Sequence, residues 1–552
     1  MSIARAVPNI LDGVRRAFTL ASVLALLVAC QQSSTTTPSA SPGATADQTP
    51  LVVAVGNVTT TLDASSSALS GDWSFNSIAS PLFRYKKATD LRPLGLGDIE
   101  GELASAWQIQ SDGNIRVTLR DAKSPYGNTV SSTDVQWSFQ RHFASPGFQT
   151  FLGTVAQIDI KNPIEIVDPK TFIIHMTAKN SLAVPTLSWW GFSVLDSTEV
   201  KTHTDAGDPT AKTWLSAHTA TYGPYQAESY TSGAELRMSA NPNYWNASKG
   251  IPAIKTIILR SVPDPATRLS LLQGGSVDFV TDLTWAQVKQ VQAVGTGGTF
   301  KADPVASPWV NWLITYNKLK PFDDPLVRKA VSMAIDRNAL IQTAYAGFGK
   351  PSRSLLQSSI PQPTPPAGSD KYTAYDPAGA KALLTQGGYA PNAVSFTLNY
   401  QPAGQANATD LATVIQTQLA AVGIKMDLNP VGSAADFSAN AQAHKYQATF
   451  GRFTTLINDV AYWSRLQFTS MGNKNLGYFE NAKLDSLTVQ LASTIEAPAR
   501  DALVTQIQAI LGDDLPTVPL VEEVENWAYK TNLVGVFPNA LATANFQDMS
   551  RK

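Results

Sequence analysis

From Pro321 to Tyr345 the chain reads PFDDPLVRKAVSMAIDRNALIQTAY. Asp324 directly before Pro325 marks a helix start. The carboxylate accepts from orphan N–H groups of the first turn, and proline fits there because its missing N–H is not needed. Val327, Ala330, Val331, Ala334 and Ile335 then recur on one face, which predicts an amphipathic helix. Asp336-Arg337 reads as a solvated pair on that helix. Asp376-Pro377 repeats the same start, and Gly387-Gly388 ends that helix where a left-handed residue is wanted. A strand at 396–398, a helix at about 410–422, a stop at Gly423 and strands at 424–428 and 448–450 follow. This alternation of strand and helix predicts an α/β domain. Two further helices near 482–491 and 498–511 lead to strand-like segments at 518–523 and 527–529. Toward the N-terminus, 51–55 is an apolar run of buried-strand type. Segments 115–120, 172–174, 254–259 and 277–280 also read as strands.

The composition suits a globular chain with a sizeable core, 43% hydrophobic and 15% charged over 552 residues, enough for two to four domains. Lys+Arg is 42 and Asp+Glu 43, so no basic surface points to nucleic acid. The five histidines are scattered, without a pair at metal-ligand spacing, and the reading names no metal and no cofactor. No G-x-S-x-G elbow or H-E-x-x-H motif is present. Glu522 and Glu523 would point to opposite faces of a strand, so they do not form a glycosidase pair.

The first fifty residues read as an address. Arg5, Arg15 and Arg16 precede an apolar run, AFTLASVLALLV, that ends at Ala29-Cys30. This is a secretory signal, too short to span a bilayer. Arg15-Arg16-Ala17-Phe18 also fits the core of a twin-arginine signal. Leu27-Val28-Ala29-Cys30 resembles the lipobox of bacterial lipoproteins, and Cys30 is the only cysteine of the chain. That resemblance implies a lipid on the Cys30 thiol and attachment to a membrane. Residues 31–50, rich in Ser, Thr and Pro, read as a flexible tether.

Several ordered blocks carry a family resemblance. They are Leu103-Ala104-Ser105-Ala106-Trp107 with Asp112-Gly113, Thr133-Asp134-Val135 with Ser138-Phe139 and Arg141, and Gly223-Pro224-Tyr225 with Asn241-Pro242-Asn243-Tyr244-Trp245. Leu272-Gln273-Gly274-Gly275, then Pro321-Phe322-Asp323-Asp324 through Asp336-Arg337, then Tyr375-Asp376-Pro377 continue the series. Together they resemble bacterial extracellular solute-binding protein family 5, the oligopeptide- and dipeptide-binding components of ABC transporters. The blocks identify the fold and do not mark the ligand site. Gly223-Pro224 and Asn241-Pro242 read as turns, with Tyr244 and Trp245 packed under the second.

The resemblance implies an α/β, periplasmic-binding-protein-like fold of two lobes joined by a hinge, of the large type with an extra subdomain. The expected division is a signal peptide at 1–30, the tether at 31–50, and lobe I at 51–90 and 221–307 with an inserted subdomain at 91–220. Lobe II is expected at 308–522, with a return to lobe I at 523–552. The hinge crossings are expected near Ser307-Pro308 and at 519–525. The implied function is capture of a small solute, in the first place a peptide, by lobe closure, and its delivery to a membrane permease with ATPase subunits. A ligand-sensing lipoprotein and a secreted hydrolase are the alternatives from other classes, and an oligosaccharide or another solute is the alternative ligand. The protein is expected to be a monomer, exported, in a periplasm or on the outer face of the cytoplasmic membrane.

For the site, peptide binders of the family carry an acid after the strand that here ends near Phe450. The segment reads GRFTTLINDVAYW, with Thr455 at the expected position, Asp459 as the nearest acid and Arg452 as a cation. Asp459 is the candidate anchor for a peptide ammonium group. Trp73, Phe75, Trp189-Trp190, Trp309, Trp312 and Trp463 are the candidate cleft aromatics.

Overall fold

A computed structural model describes residues 49–66, 73–87, 94–294, 298–405, 407–539 and 543–552. The signal, Cys30 and most of the tether lie outside the described residues.

The framework is an 11-stranded mixed sheet. Along it lie Ile424–Pro430, Val394–Tyr400, Ala448–Phe453, Phe300–Thr315, Val518–Lys530, Phe279–Thr281, Leu51–Val55, Thr256–Ser261, Glu235–Ala240 and Tyr225–Thr231. The short strand Lys350–Pro351 adds to Val518–Lys530. Leu51–Val55 pairs in parallel with neighbours on both sides and is almost wholly buried, which explains its continuous apolar run.

The two long strands in the middle belong to both halves of the sheet. Residues 300–306 pair with 524–530, and 310–313 pair with 518–522. Between the two registers Ser307, Pro308 and Trp309 lie opposite Glu523 alone, a bulge that bends the ribbon. The segments read from sequence as separate strands at 518–523 and 527–529 are therefore one strand, Val518–Lys530. Charged Glu522, Glu523 and Glu525 interrupt the apolar pattern there because the strand crosses from one core to the other.

One core, built on Val327, Ala330, Leu398, Leu411, Ile415 and Leu419, packs helices on the 394–430 half of the sheet. Another, with Leu269, Leu272, Val288 and Val291, packs helices on the 51–55 half. A separate four-stranded antiparallel sheet runs Ala104–Ile109, Ile115–Leu119, Thr171–Ile174, Ile164–Ile166.

The helix predicted across Pro321–Tyr345 is two helices, Pro325–Met333 and Arg337–Ala344. Asp324 caps the first, accepting from the Leu326 N–H at 2.8 Å. Asp336 caps the second, accepting from Asn338 and Ala339. Arg337 is not solvated. It is 4% exposed and donates to the carbonyls of Pro519, Ser332, Ile335 and Thr373. An aspartate that caps and an arginine that satisfies helix-end and loop carbonyls explain the pair better than a surface ion pair. Gly388 and Gly423 have φ of +78° and +82°, the left-handed values that end their helices.

Candidate functional site

Three contacts join the Ala183–Thr186 region and its neighbours to the 455–500 segment. The Ser181 N–H donates to the Ala492 carbonyl at 2.7 Å. The Asn458 Nδ2 donates to the Leu94 carbonyl at 2.9 Å. The Arg500 guanidinium donates to Ser181 Oγ at 2.6 Å. Beside them opens a cleft of about 650 Å³, within the range of small-molecule sites. Its walls come from 95–109 and 181–185 on one side and from 361–363, 458–460 and 495–504 on the other. A smaller cavity of about 80 Å³ lies between Phe75, Tyr85, Trp189, Trp190 and Leu456.

The expected site residues fall into separate places. Asp459 is 4% exposed and already employed. One oxygen accepts from the Ala461 N–H at 2.7 Å, capping the helix Val460–Gln467. The other pairs with Arg500 at 2.5 Å. As an ammonium anchor it would have to exchange that partner. Thr455 is fully buried and its hydroxyl donates to the Ile457 carbonyl.

Trp463 and Trp73 belong to the core rather than to a cleft wall. Trp463 has no exposed surface, its Nε1 donates to the Leu355 carbonyl at 2.9 Å, and it meets Trp312 edge-on. Trp73 packs edge-on against Phe279 and Trp527 at ring distances of 5.4 and 5.3 Å. Phe75 stacks on Trp190 at 4.5 Å and both reach the smaller cavity. Large aromatic rings gain most where they are wholly covered, so core packing takes them.

Arg452 and Trp309 do come together, at the bulge in the central ribbon. The guanidinium lies 3.9 Å over the Trp309 ring and pairs with Glu523 at 2.7 Å. Glu523 also accepts from Asn311 Nδ2. Glu522 points the other way, to Ser358, as alternation along a strand requires. Among the described residues, half-buried Glu525 receives only a long hydrogen bond from Ser307 at 3.4 Å. Burial pushes its carboxyl up to about 8, with Asp282 and Glu523 adding repulsion and Arg452 opposing.

A native carboxyl that titrates near 8 instead of near 4.5 holds a proton that the unfolded chain releases. Its contribution to stability is complete below the unfolded value and is lost as pH rises to about 8. Glu525→Gln is therefore expected to match the wild type in urea midpoint at about pH 4.5 and to exceed it above pH 8. Parallel midpoints across that window would overturn the assignment.

Sequence reasoning missed Arg500, Asp501 and the cleft role of Trp107. Arg500 meets Asp459 from a helix 41 residues on, so no local signal joins them.

The quoted sequence blocks hold the scaffold. Arg141 pairs with buried Asp63 at 2.7 Å, and Asp134 accepts from Ser131 and Ser197. Asn241 Nδ2 donates to the Gly223 carbonyl, and a Cβ on Gly223 would lie 2.6 Å from the Ile78 carbonyl oxygen. Tyr244 and Trp245 both donate to Glu102, and Arg120 covers Trp245 at 3.7 Å.

A sheet shared by two halves through two long strands, with a cleft between the facing walls, defines the two-lobed periplasmic-binding type of fold. Solved structures of that type align with the chain. HbpA2 from Haemophilus parasuis has a TM-score of 0.78 at 21% identity, covering 91% of this chain and 100% of that one. The ABC transporter-associated periplasmic binding protein DppA from Helicobacter pylori, in complex with peptide STSA, has a TM-score of 0.70 at 20% identity, covering 91% and 98%. The chain belongs to the bacterial extracellular solute-binding proteins, family 5, whose middle-segment model matches residues 98–475. Among curated relatives, Heme-binding protein A of Haemophilus influenzae is 25% identical over 536 residues, 93% of this chain and 94% of the relative. Glutathione-binding protein GsiB of Escherichia coli (strain K12) is 27% identical over 334 residues, 59% of this chain and 63% of the relative. Members of this family bind peptides or related small ligands and work with ABC permeases.

Proposed function

We propose that the chain is the capture component of an ABC importer, exported and held at the membrane by a lipid on Cys30. It closes its two lobes around a small solute and presents it to a permease with ATPase subunits. The observation that carries this reading is the cleft of about 650 Å³ whose lining brings residues of 95–109 and 181–185 together with residues of 361–363, 458–460 and 495–504. A ligand held by both walls favours the closed arrangement, and that difference in affinity is the signal a permease reads. The moving parts are lobe I with its inserted subdomain (51–307), lobe II (308–522) and the returning segment 523–552.

Peptide is the first ligand class to test, and oligosaccharides are the second. A ligand that binds only the folded protein raises its melting temperature. A rise with short peptides supports the peptide reading. A rise with sugars alone keeps capture and replaces the ligand. No rise with either class argues against a capture role for these solutes. The anchor has its own test: Cys30→Ser is expected to move the protein from the membrane to the soluble fraction. Retention on membranes would rule out lipid attachment at Cys30.

A further inference from the structure

Phe348 crosses from one half of the molecule into the core of the other. It follows the helix Arg337–Ala344, whose Leu340 and Ile341, with Tyr345, belong to the core on the 394–430 half of the sheet. Its own ring packs instead against the core of Leu269, Leu272, Val288 and Val291 on the 51–55 half. There it stacks on Trp285, with the ring centroids 4.3 Å apart and the planes 13° from parallel. Lys289 Nζ lies 5.7 Å from the Phe348 centroid. The turn that carries the ring is tightly specified. Ala346, Gly347 and Gly349 have φ of +51°, +90° and +134°. The Gly347 and Phe348 N–H groups donate to the Ile341 and Tyr345 carbonyls, both at 2.9 Å.

The two rings are anchored to one strand, on either side of the bulge. Trp285 begins its helix two residues after Leu283, whose N–H and carbonyl both bond the Asn526 side chain at 2.9 Å. Phe348 is followed by Lys350–Pro351, paired with Glu522 and Val521. Between these anchors the ladder is interrupted, at Glu523 opposite Ser307, Pro308 and Trp309. The stack lies on the far face of the sheet from the cleft. Val280 and Ala528 belong to the core beneath the stack. Their neighbours Phe279 and Trp527 belong to the core that contains the cleft residues Ile99, Val460 and Val504.

We infer that the Trp285–Phe348 stack is a latch behind the hinge, one that favours closed lobes and raises ligand affinity without touching the ligand. This rests on the reading that the lobes close around a solute. In the structure the cleft walls touch, with the Ser181 N–H donating to the Ala492 carbonyl at 2.7 Å, and the rings lie face to face. A rotation between positions 522 and 526 that parts the walls carries one anchor relative to the other. Ring contact is short-ranged, and a gap of about 1 Å forfeits up to half of it. A contact made in one arrangement only shifts the equilibrium toward that arrangement.

The test is hydrogen exchange of the ligand-free full chain in detergent, read at the Ser181 amide and at the amides of Leu51–Val55. Ser181 is expected to exchange faster than Leu51–Val55, because it is freed when the walls part and not only on unfolding. Phe348→Ala and Trp285→Ala are each expected to speed Ser181 exchange about two- to tenfold, the weight of one aromatic pair. The double variant should go no further than the single ones, since each removes the same contact. Phe348→Tyr keeps a ring in place and should keep the wild-type rate. Unchanged Ser181 exchange in both alanine variants overturns the latch, as do fully additive effects or Ser181 exchange no faster than that of Leu51–Val55. No ligand enters this measurement, so the two readings fail separately. A melting temperature raised by short peptides, with Ser181 exchange unchanged in the variants, keeps capture and removes the latch. Faster Ser181 exchange in a chain that short peptides do not stabilise keeps the latch and removes peptide capture.

Discussion

Arg500→Met is expected to lower the stability of the folded chain by about 3–5 kcal/mol, the cost of leaving a buried charge without its partner. Asp459 is 4% exposed and Arg500 8% exposed, so water does not compensate the carboxylate once the guanidinium is gone. The same change strips the Leu491 and Thr494 carbonyls of a donor and removes one of the two contacts of Ser181, whose N–H still donates to the Ala492 carbonyl. Urea unfolding reads the loss as a lower midpoint. The double change Arg500→Met with Asp459→Asn should recover part of it, because it removes the stranded charge without restoring the hydrogen bonds that Arg500 made. An Arg500→Met midpoint equal to the wild type would show that the pair contributes nothing, as many exposed pairs do.

Trp463→Ala is expected to cost about 3–5 kcal/mol through the cavity it leaves. The indole is wholly enclosed, meets Trp312 at 5.5 Å and donates to the Leu355 carbonyl at 2.9 Å. Trp463→Phe keeps most of the packing and should cost less. These variants separate core from cleft. A core tryptophan moves the urea midpoint and leaves the affinity of the folded fraction nearly unchanged. A tryptophan on the cleft wall would do the reverse, and that outcome would return Trp463 to the ligand site.

Much of the architecture is legible because its signals are local. Leu51–Val55, Val394–Tyr400, Ile424–Pro430 and the helices begun by Asp324 and Asp376 follow from caps, glycine stops and runs of apolar residues within a few positions of one another. The errors are also local in origin. Asp336 both continues an amphipathic face and caps a new helix, and pattern alone does not separate the two roles. Glu522, Glu523 and Glu525 broke the strand pattern of 518–530, although their partners, Ser358, Arg452 with Asn311, and Ser307, make those positions compatible with one strand.

The site is harder to read because each of its parts takes meaning from a distant partner. Asp459 as a lone acid in a loop invites a role as an ammonium anchor; beside Arg500 it is a paired helix cap. Trp309 and Arg452 lie 143 positions apart and meet only because the strands carrying them are neighbours in the sheet. Trp73, Trp309 and Trp463 are the same residue type, yet two are buried in the core and one is half-covered beneath a guanidinium. By itself the sequence determined the family, the α/β class and the order of most elements, since these rest on short-range caps and periodicity. Only the tertiary structure decided which charges are spent and which rings are buried. Burial and pairing depend on what other segments bring within a few ångströms, and that is not a property of any one stretch of chain.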